Sequence, residues 1–165
     1  MKDEQHVVHS TFAIERTYPA PPARVFAAFA DPALKRRWFM DGKGFTSEEY
    51  TADFRVGGRE KSRFTFAGGP AGAPPAGTKM GNDTVYLDIV ANQRIVFANT
   101  MLVGDYRRSA SLATVELSLS ENGGTRILFT EQAASFDRSD GPKNREAGWR
   151  ELLAKVDKAL EHAVR

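Results

Sequence analysis

The stretch that decides the fold is Gly141–Arg165, GPKNREAGWRELLAKVDKALEHAVR. At 3.6 residues per turn, Trp149, Leu152, Leu153, Val156, Ala159, Leu160, Ala163 and Val164 fall on one side. Arg150, Glu151, Lys155, Asp157, Lys158 and Glu161 fall on the other. The spacing predicts an amphipathic helix. Asp140 or Ser139 can cap its start, and Pro142 suits a first turn, where its missing N–H is not needed. Glu151 and Lys155 stand at a favourable i,i+4 spacing. So narrow an apolar stripe requires a partner surface, and nearly everything upstream has strand periodicity. The expected architecture is one long helix gripped by a curved antiparallel sheet.

Working back from the helix, Phe136–Gly141 leads into it, and Arg126–Gln132 is the last strand. Glu121-Asn122-Gly123-Gly124 is a strong turn signal. Leu112–Leu119 alternates, Val103–Ser109 reads as a polar hairpin connection, and Arg94–Met101 and Thr84–Val90 flank a turn at Ala91-Asn92-Gln93. Ala67–Gly81 is a Gly/Pro-rich loop, long for a hairpin. Arg59–Phe66 and Ser47–Val56 are strands joined by Gly57-Gly58, a tight-turn signal. Gly42 and Gly44 mark a loop. Arg24–Ala30 places Val25, Phe26 and Phe29 at helical spacing. Asp31-Pro32 ends that helix and can cap a second one, from Leu34 to Trp38 or Phe39. Thr11–Tyr18 is the first strand, after a loose start at Met1–His9. The order is β, two short α, six β and a long α, with no internal repeat or linker. The fold class is α+β, a single domain over residues 1–165, with a sheet of six or seven strands.

Composition narrows the function. Lys+Arg 23 against Asp+Glu 21 leaves a net charge of +2, so the sequence pI of about 9.0 overstates the basicity. The basic residues are scattered apart from Lys35-Arg36-Arg37 and Arg107-Arg108, which is no nucleic-acid footprint. The absence of cysteine excludes disulfides, thiol nucleophiles and thiolate metal sites. The polar first ten residues carry no signal-peptide pattern, and no run approaches membrane-spanning length. A soluble cytoplasmic protein is expected.

Familiar catalytic signals are missing. His6, His9 and His162 lie at the two ends with no carboxylate at ligand spacing, so neither a metal nor a cofactor is expected. The run Gly72–Lys79 superficially resembles a phosphate loop. Its final pair is reversed, and two prolines remove N–H groups such a cradle needs. What remains is an excess of bulky apolar residues near the expected gap between sheet and helix. Candidate pocket residues are Trp38, Phe39, Tyr50, Phe54, Phe66, Tyr86, Phe97, Met101, Phe129, Phe136, Trp149, Leu152 and Leu153. The competing reading for each is plain core packing. Glu131 joins the candidates because it shares strand parity with Ile127 and Phe129, which aims a carboxylate into an apolar gap. It can hold a ligand or act as acid or base, against a simpler salt bridge to an arginine of the last helix. Asp88, Arg59 and Arg63 are weaker candidates, because strand faces are not fixed there.

Several segments also resemble one family. Phe12–Ala20, Val25-Phe26, Asp31-Pro32 and Arg37-Trp38-Phe39 are similar to the start of the heat-shock protein 90 ATPase activator-like (AHSA1-like) proteins, members of the START-like (Bet v 1-like, SRPBCC) superfamily. Asp53–Gly58 resembles the family's second-strand turn. Thr130-Glu131-Gln132, Phe136, Arg145-Glu146, Gly148-Trp149 and Leu152-Leu153 resemble its last strand and closing helix. The resemblance implies the helix-grip fold reached above. It implies a hydrophobic small-molecule ligand of lipid, polyketide or aromatic type, held between sheet and helix. It supplies no catalytic residue.

Two alternatives stand beside ligand binding. One is a cyclase- or hydrolase-type enzyme using Glu131 with Tyr50 or Tyr86. The other is a chaperone-binding module, since the eukaryotic namesake binds heat-shock protein 90. The namesake does so with an additional N-terminal domain that this chain is expected to lack. Pairing through an exposed sheet edge would give a homodimer.

Overall fold

In the computed structural model, which describes residues 7–71, 73–136 and 142–162, eleven elements follow one another. They are β1 (Val8–Tyr18), α1 (Pro22–Ala30), α2 (Pro32–Phe39), β2 (Phe45–Ala52), β3 (Arg59–Phe66), β4 (Lys79–Val90), β5 (Arg94–Val103), β6 (Tyr106–Leu119), a 3₁₀ turn (Glu121–Gly123), β7 (Thr125–Ser135) and α3 (Pro142–His162). Seven antiparallel strands form one sheet in the order β1-β7-β6-β5-β4-β3-β2. The chain begins at one edge and crosses to the other through α1 and α2. It then returns strand by strand until β7 lies beside β1. This is the expected α+β helix-grip arrangement.

Local chemistry sets these elements. β1 buries Phe12, Ile14 and Tyr18, with Arg16 half-buried in the same phase, and exposes Ala13, Glu15 and Thr17, the period-2 pattern of a strand with one wet face. α1 starts at Pro22, directly after Pro21, and buries Val25, Ala28 and Phe29. Asp31, in extended conformation, accepts the Ala33 N–H at 2.9 Å and caps α2. Register shifts at Ser47/Glu49, Tyr86/Asp88 and Met101/Leu102 mark bulges, which bend and coil the sheet around α3.

Several expected boundaries move. β2 ends at Ala52 rather than Val56, and Gly57-Gly58 closes a six-residue connection instead of a tight hairpin. That glycine pair docks on β4: Gly57 N–H donates to the Tyr86 carbonyl at 2.7 Å, and Tyr86 N–H to the Gly58 carbonyl at 3.0 Å. Gly57 has φ +81°, and a Cβ on Gly58 would lie 2.0 Å from the Asp53 carbonyl oxygen. β4 begins at Lys79, so part of the expected loop is strand. The expected Val103–Ser109 connection is a two-residue turn, Gly104-Asp105, between Val103 and Tyr106. Gly104 has φ +58° at the first central position, as a type II′ hairpin turn requires. β7 extends to Ser135.

Trp149, Leu152, Leu153, Val156, Ala159 and Leu160 face the core from α3, as their spacing predicts. The expected cap residues Ser139 and Asp140, the loose start over residues 1–6, and Ala163 and Val164 lie outside the described residues. Lys155 does not pair with Glu151 but donates to the Asp41 carbonyl at 3.0 Å. An i,i+4 pair forms instead between Glu146 and Arg150, at 3.5 Å. Three contacts strap the later part of α3 down. The Tyr18 hydroxyl donates to the Leu153 carbonyl at 2.7 Å, Arg16 pairs with Asp157 at 2.8 Å, and Arg24 donates to the Leu160 carbonyl at 2.6 Å.

Candidate ligand-binding site

The opening part of α3 does not close onto the sheet in the same way. Between it, α2 and strands β2–β5 lies a cavity of about 300 Å³, at the small end of ligand pockets. The sheet opposite the helix explains the space. On β3 the inward set is Glu60, Ser62 and Phe64, and the outward set is Arg59, Lys61 and Arg63. Asn82 and Thr84 on β4 and Asn99 on β5 stand beside them. These are short polar side chains where aliphatic ones would have filled the gap. Thr84 and Asn99 are bonded at 2.8 Å and Ser62 and Asn82 at 3.4 Å, so the polar strip is partly self-satisfied. On α3, Asn144, Arg145, Trp149, Glu151, Leu152 and Lys155 line the opposite wall with Gly148 in the middle of their arc. A Cβ at Gly148 would meet nothing within 4 Å. Phe39, Phe45, Phe64, Phe97, Met40 and Met101 complete the apolar lining, and Lys43 and Lys155 stand at its margin.

One buried cluster gives this cavity its chemistry. Lys35 and Glu60 are 5% and 3% exposed, and Lys35 Nζ lies 2.6 Å from Glu60 Oε2. The same oxygen accepts from the Tyr50 hydroxyl at 3.2 Å and, closer, from the Tyr86 hydroxyl. Burial pushes both phenols above the usual tyrosine range, and the adjacent Glu60 charge pushes them further, so both remain donors. Lys35 Nζ also sits 4.9 Å from the Phe39 ring centre, 5.7 Å from Phe97 and 5.9 Å from Tyr86.

Glu131 is the second buried carboxylate, 1% exposed. Arg145 Nε donates to its Oε1 at 2.7 Å and Trp149 Nε1 to its Oε2 at 2.9 Å. Arg145 Nη1 also reaches Ser109 Oγ at 2.7 Å. Glu131 anchors α3 from beneath and is not among the cavity-lining residues. Tyr50 and Tyr86, expected to accompany it, turn to Glu60 instead, so the acid–base grouping drawn from sequence is not assembled.

Of the other candidates, Phe39, Phe97, Met101, Trp149 and Leu152 line the cavity. Phe129 lies under Trp149, with ring centres 4.4 Å apart. Trp38 is buried between the short helices, donating to the Ala28 carbonyl at 2.8 Å and packing on Phe29. Phe54 packs between Tyr86 and Phe26. Phe66 closes β3 near Gly69, Leu153 belongs to the core, and Phe136 is half-buried beyond β7. Asp88 pairs with Arg94 and Arg63 with Asp83, away from the cavity. Sequence reasoning missed Lys35, Glu60, Asn82, Thr84 and Asn99, while the salt bridge it offered for Glu131, to an arginine of the last helix, is the one Arg145 makes. Two signals were present. Glu60 alternates in phase with Ser62 and Phe64, and Lys35 precedes Phe39 by one helical turn. Among the described residues, no helix is long and apolar enough to cross a membrane.

Comparisons with known proteins agree with the fold. The family model for activator of Hsp90 ATPase homolog 1-like proteins matches residues 19–161. A solved structure of the protein Mll3558 from Rhizobium loti is 49% identical, with TM-score 0.80, over 93% of this chain and 99% of that one. An uncharacterized protein from Rhizobium leguminosarum is 37% identical, with TM-score 0.83, over 95% of this chain and 97% of its own. An AHSA1-like protein from Aeromonas hydrophila, 21% identical, shares the fold with TM-score 0.64 over 93% of this chain and 94% of that one. No curated protein matches the sequence.

Proposed function

Since the chain belongs to the activator of Hsp90 ATPase homolog 1-like family, which supplies a helix-grip scaffold, we propose that it binds a compact, largely apolar small molecule between α3 and strands β2–β5. The observation that carries this reading is the aromatic-walled cavity of about 300 Å³ beside a buried polar cluster. A chain selected only for stability gains by filling such a space, because each uncollapsed void forfeits packing contacts. Here the sequence keeps Gly148 inside a helix, at a cost of roughly 1 kcal/mol against alanine. It also places Asn82, Thr84 and Asn99 where larger residues would close the gap.

The test is native mass spectrometry of the purified chain for a retained ligand, together with titration by the neutral fluorescent probe N-phenyl-1-naphthylamine. Saturable binding of one probe per chain is expected. Gly148→Leu, whose side chain enters open space, should keep the fold and weaken the probe at least tenfold. Unsaturable binding, or binding that Gly148→Leu leaves unchanged, would count decisively against the cavity as the site.

A further inference from the structure

We propose that Glu60 and Lys35 together read an uncharged hydroxyl group, so that the cavity's ligand is a compact, hydroxyl-bearing aromatic molecule rather than a hydrocarbon chain or a carboxylic acid. This rests on the binding reading above and adds the ligand's chemical class to it.

The arrangement around Glu60 is lopsided. Lys35, Tyr50 and Tyr86 all converge on Oε2. Oε1 accepts no hydrogen bond among the described residues and is not sealed from solvent, and Glu60 lines the cavity. Buried Tyr86 and Lys35 and half-buried Tyr50 therefore hold the carboxylate by one oxygen and leave the other reachable from the cavity. The Lys35 ammonium is equally one-sided. Of its three N–H groups one serves Glu60, and the rings of Phe39, Phe97 and Tyr86 lie around it at cation–π distance without supplying a hydroxyl or carbonyl acceptor.

A buried ion pair costs desolvation that an apolar pair would avoid, so stability alone is weak reason to keep one. As a recognition device it is selective. A carboxylate ligand would meet Glu60 Oε1 as a like charge, and an amine would meet Lys35 likewise. A hydrocarbon would expel water from Oε1 and leave a buried acceptor unpaired. A hydroxyl satisfies both partners through one atom. Its O–H donates to Oε1 while its oxygen accepts from the Lys35 ammonium. The remaining lining, with Phe39, Phe97 and Trp149 around a small cavity, suits one or two fused rings rather than a long acyl chain.

The experiment is displacement of N-phenyl-1-naphthylamine at pH 7 by three compounds of one skeleton: 2-naphthol, naphthalene and 2-naphthoate. 2-Naphthol is expected to bind at least tenfold more tightly than either of the others, since sites built around a hydroxyl discriminate strongly against its absence. In Glu60→Gln the preference over naphthalene should fall below about threefold while naphthalene itself is little changed. Lys35→Met/Glu60→Gln removes both charges together and should give the same flattened ranking if the single variant folds poorly. Equal binding of naphthalene and 2-naphthol, or tightest binding of 2-naphthoate, overturns the hydroxyl assignment and leaves the cavity reading intact. Failure of N-phenyl-1-naphthylamine itself to bind overturns both.

Discussion

Two buried carboxylates divide the labour of this molecule, and their surroundings decide which does what. Glu131 has both oxygens engaged, by Arg145 and Trp149, and acts as a rivet between β7 and α3. Removing it takes a buried carboxylate partner from Arg145 Nε and the acceptor from Trp149 Nε1. Glu131→Ala should therefore destabilise the fold by about 3–5 kcal/mol, read as a fall in the urea midpoint at pH 7. A change under about 1 kcal/mol would mean the pair contributes little. Residue-level alternation singled out Glu131 but not Glu60, because the arginine-rich opposite face of β3 masked the inward set. Which phenol meets which carboxylate depends on strand register, and no local periodicity encodes that.

The tyrosines carry a pH signature of their own. Burial raises Tyr18, Tyr50 and Tyr86 above the ordinary range of about 10. Below that pH each phenol is protonated in both folded and unfolded chains, and their contribution is whole. Above it the unfolded chain sheds protons the folded chain keeps, so stability falls by up to about 1.4 kcal/mol per pH unit for each tyrosine. Urea midpoints should drop steeply between about pH 10 and 11, and Tyr86→Phe should make that decline shallower. An unchanged slope would remove Tyr86 from the account.

At the scale of elements, glycine behaves in two opposite ways. Gly148 sits in a helix with open space beside it, so Gly148→Ala should raise stability by roughly 0.5–1 kcal/mol through propensity alone. Gly58 is held against the Asp53 carbonyl, so Gly58→Ala should lower stability and loosen the connection between β2 and β3. Thermal melts of the two variants should shift in opposite directions. The same contrast explains what was legible. Periodicity exposed every strand and helix in order, because each buries one face. It misjudged residues 53–58, where the backbone bonds to Tyr86 across the sheet, and it overestimated the connection after Val103. Turn chemistry at Gly104 was visible, but the extent of pairing beyond it is a property of both strands at once.

For the molecule as a whole, strand order is the governing fact. β1 pairs with β7 residue by residue, from Val8 with Ser135 to Tyr18 with Thr125. The edge strand formed first in sequence therefore waits for the last strand before it can bond. Such distant pairing slows folding relative to helical domains of similar size. One cooperative transition is expected, with far-UV circular dichroism and tryptophan emission changing together during urea unfolding. Separated transitions would show that the β2–β6 meander persists without β1. The helix-grip outline was readable because a single amphipathic helix and a run of strands have few compatible packings. The cavity's polarity was not, since it arises from side chains on five separate elements that meet only after the sheet curls.

The two tryptophans occupy unlike worlds. Trp38 is sealed between the short helices, 1% exposed, while Trp149 stands on the wall of the open space. A dissolved collisional quencher such as acrylamide or iodide can therefore reach one indole and not the other. The molecule carries a silent internal standard and a responsive dye, placed there by its own fold.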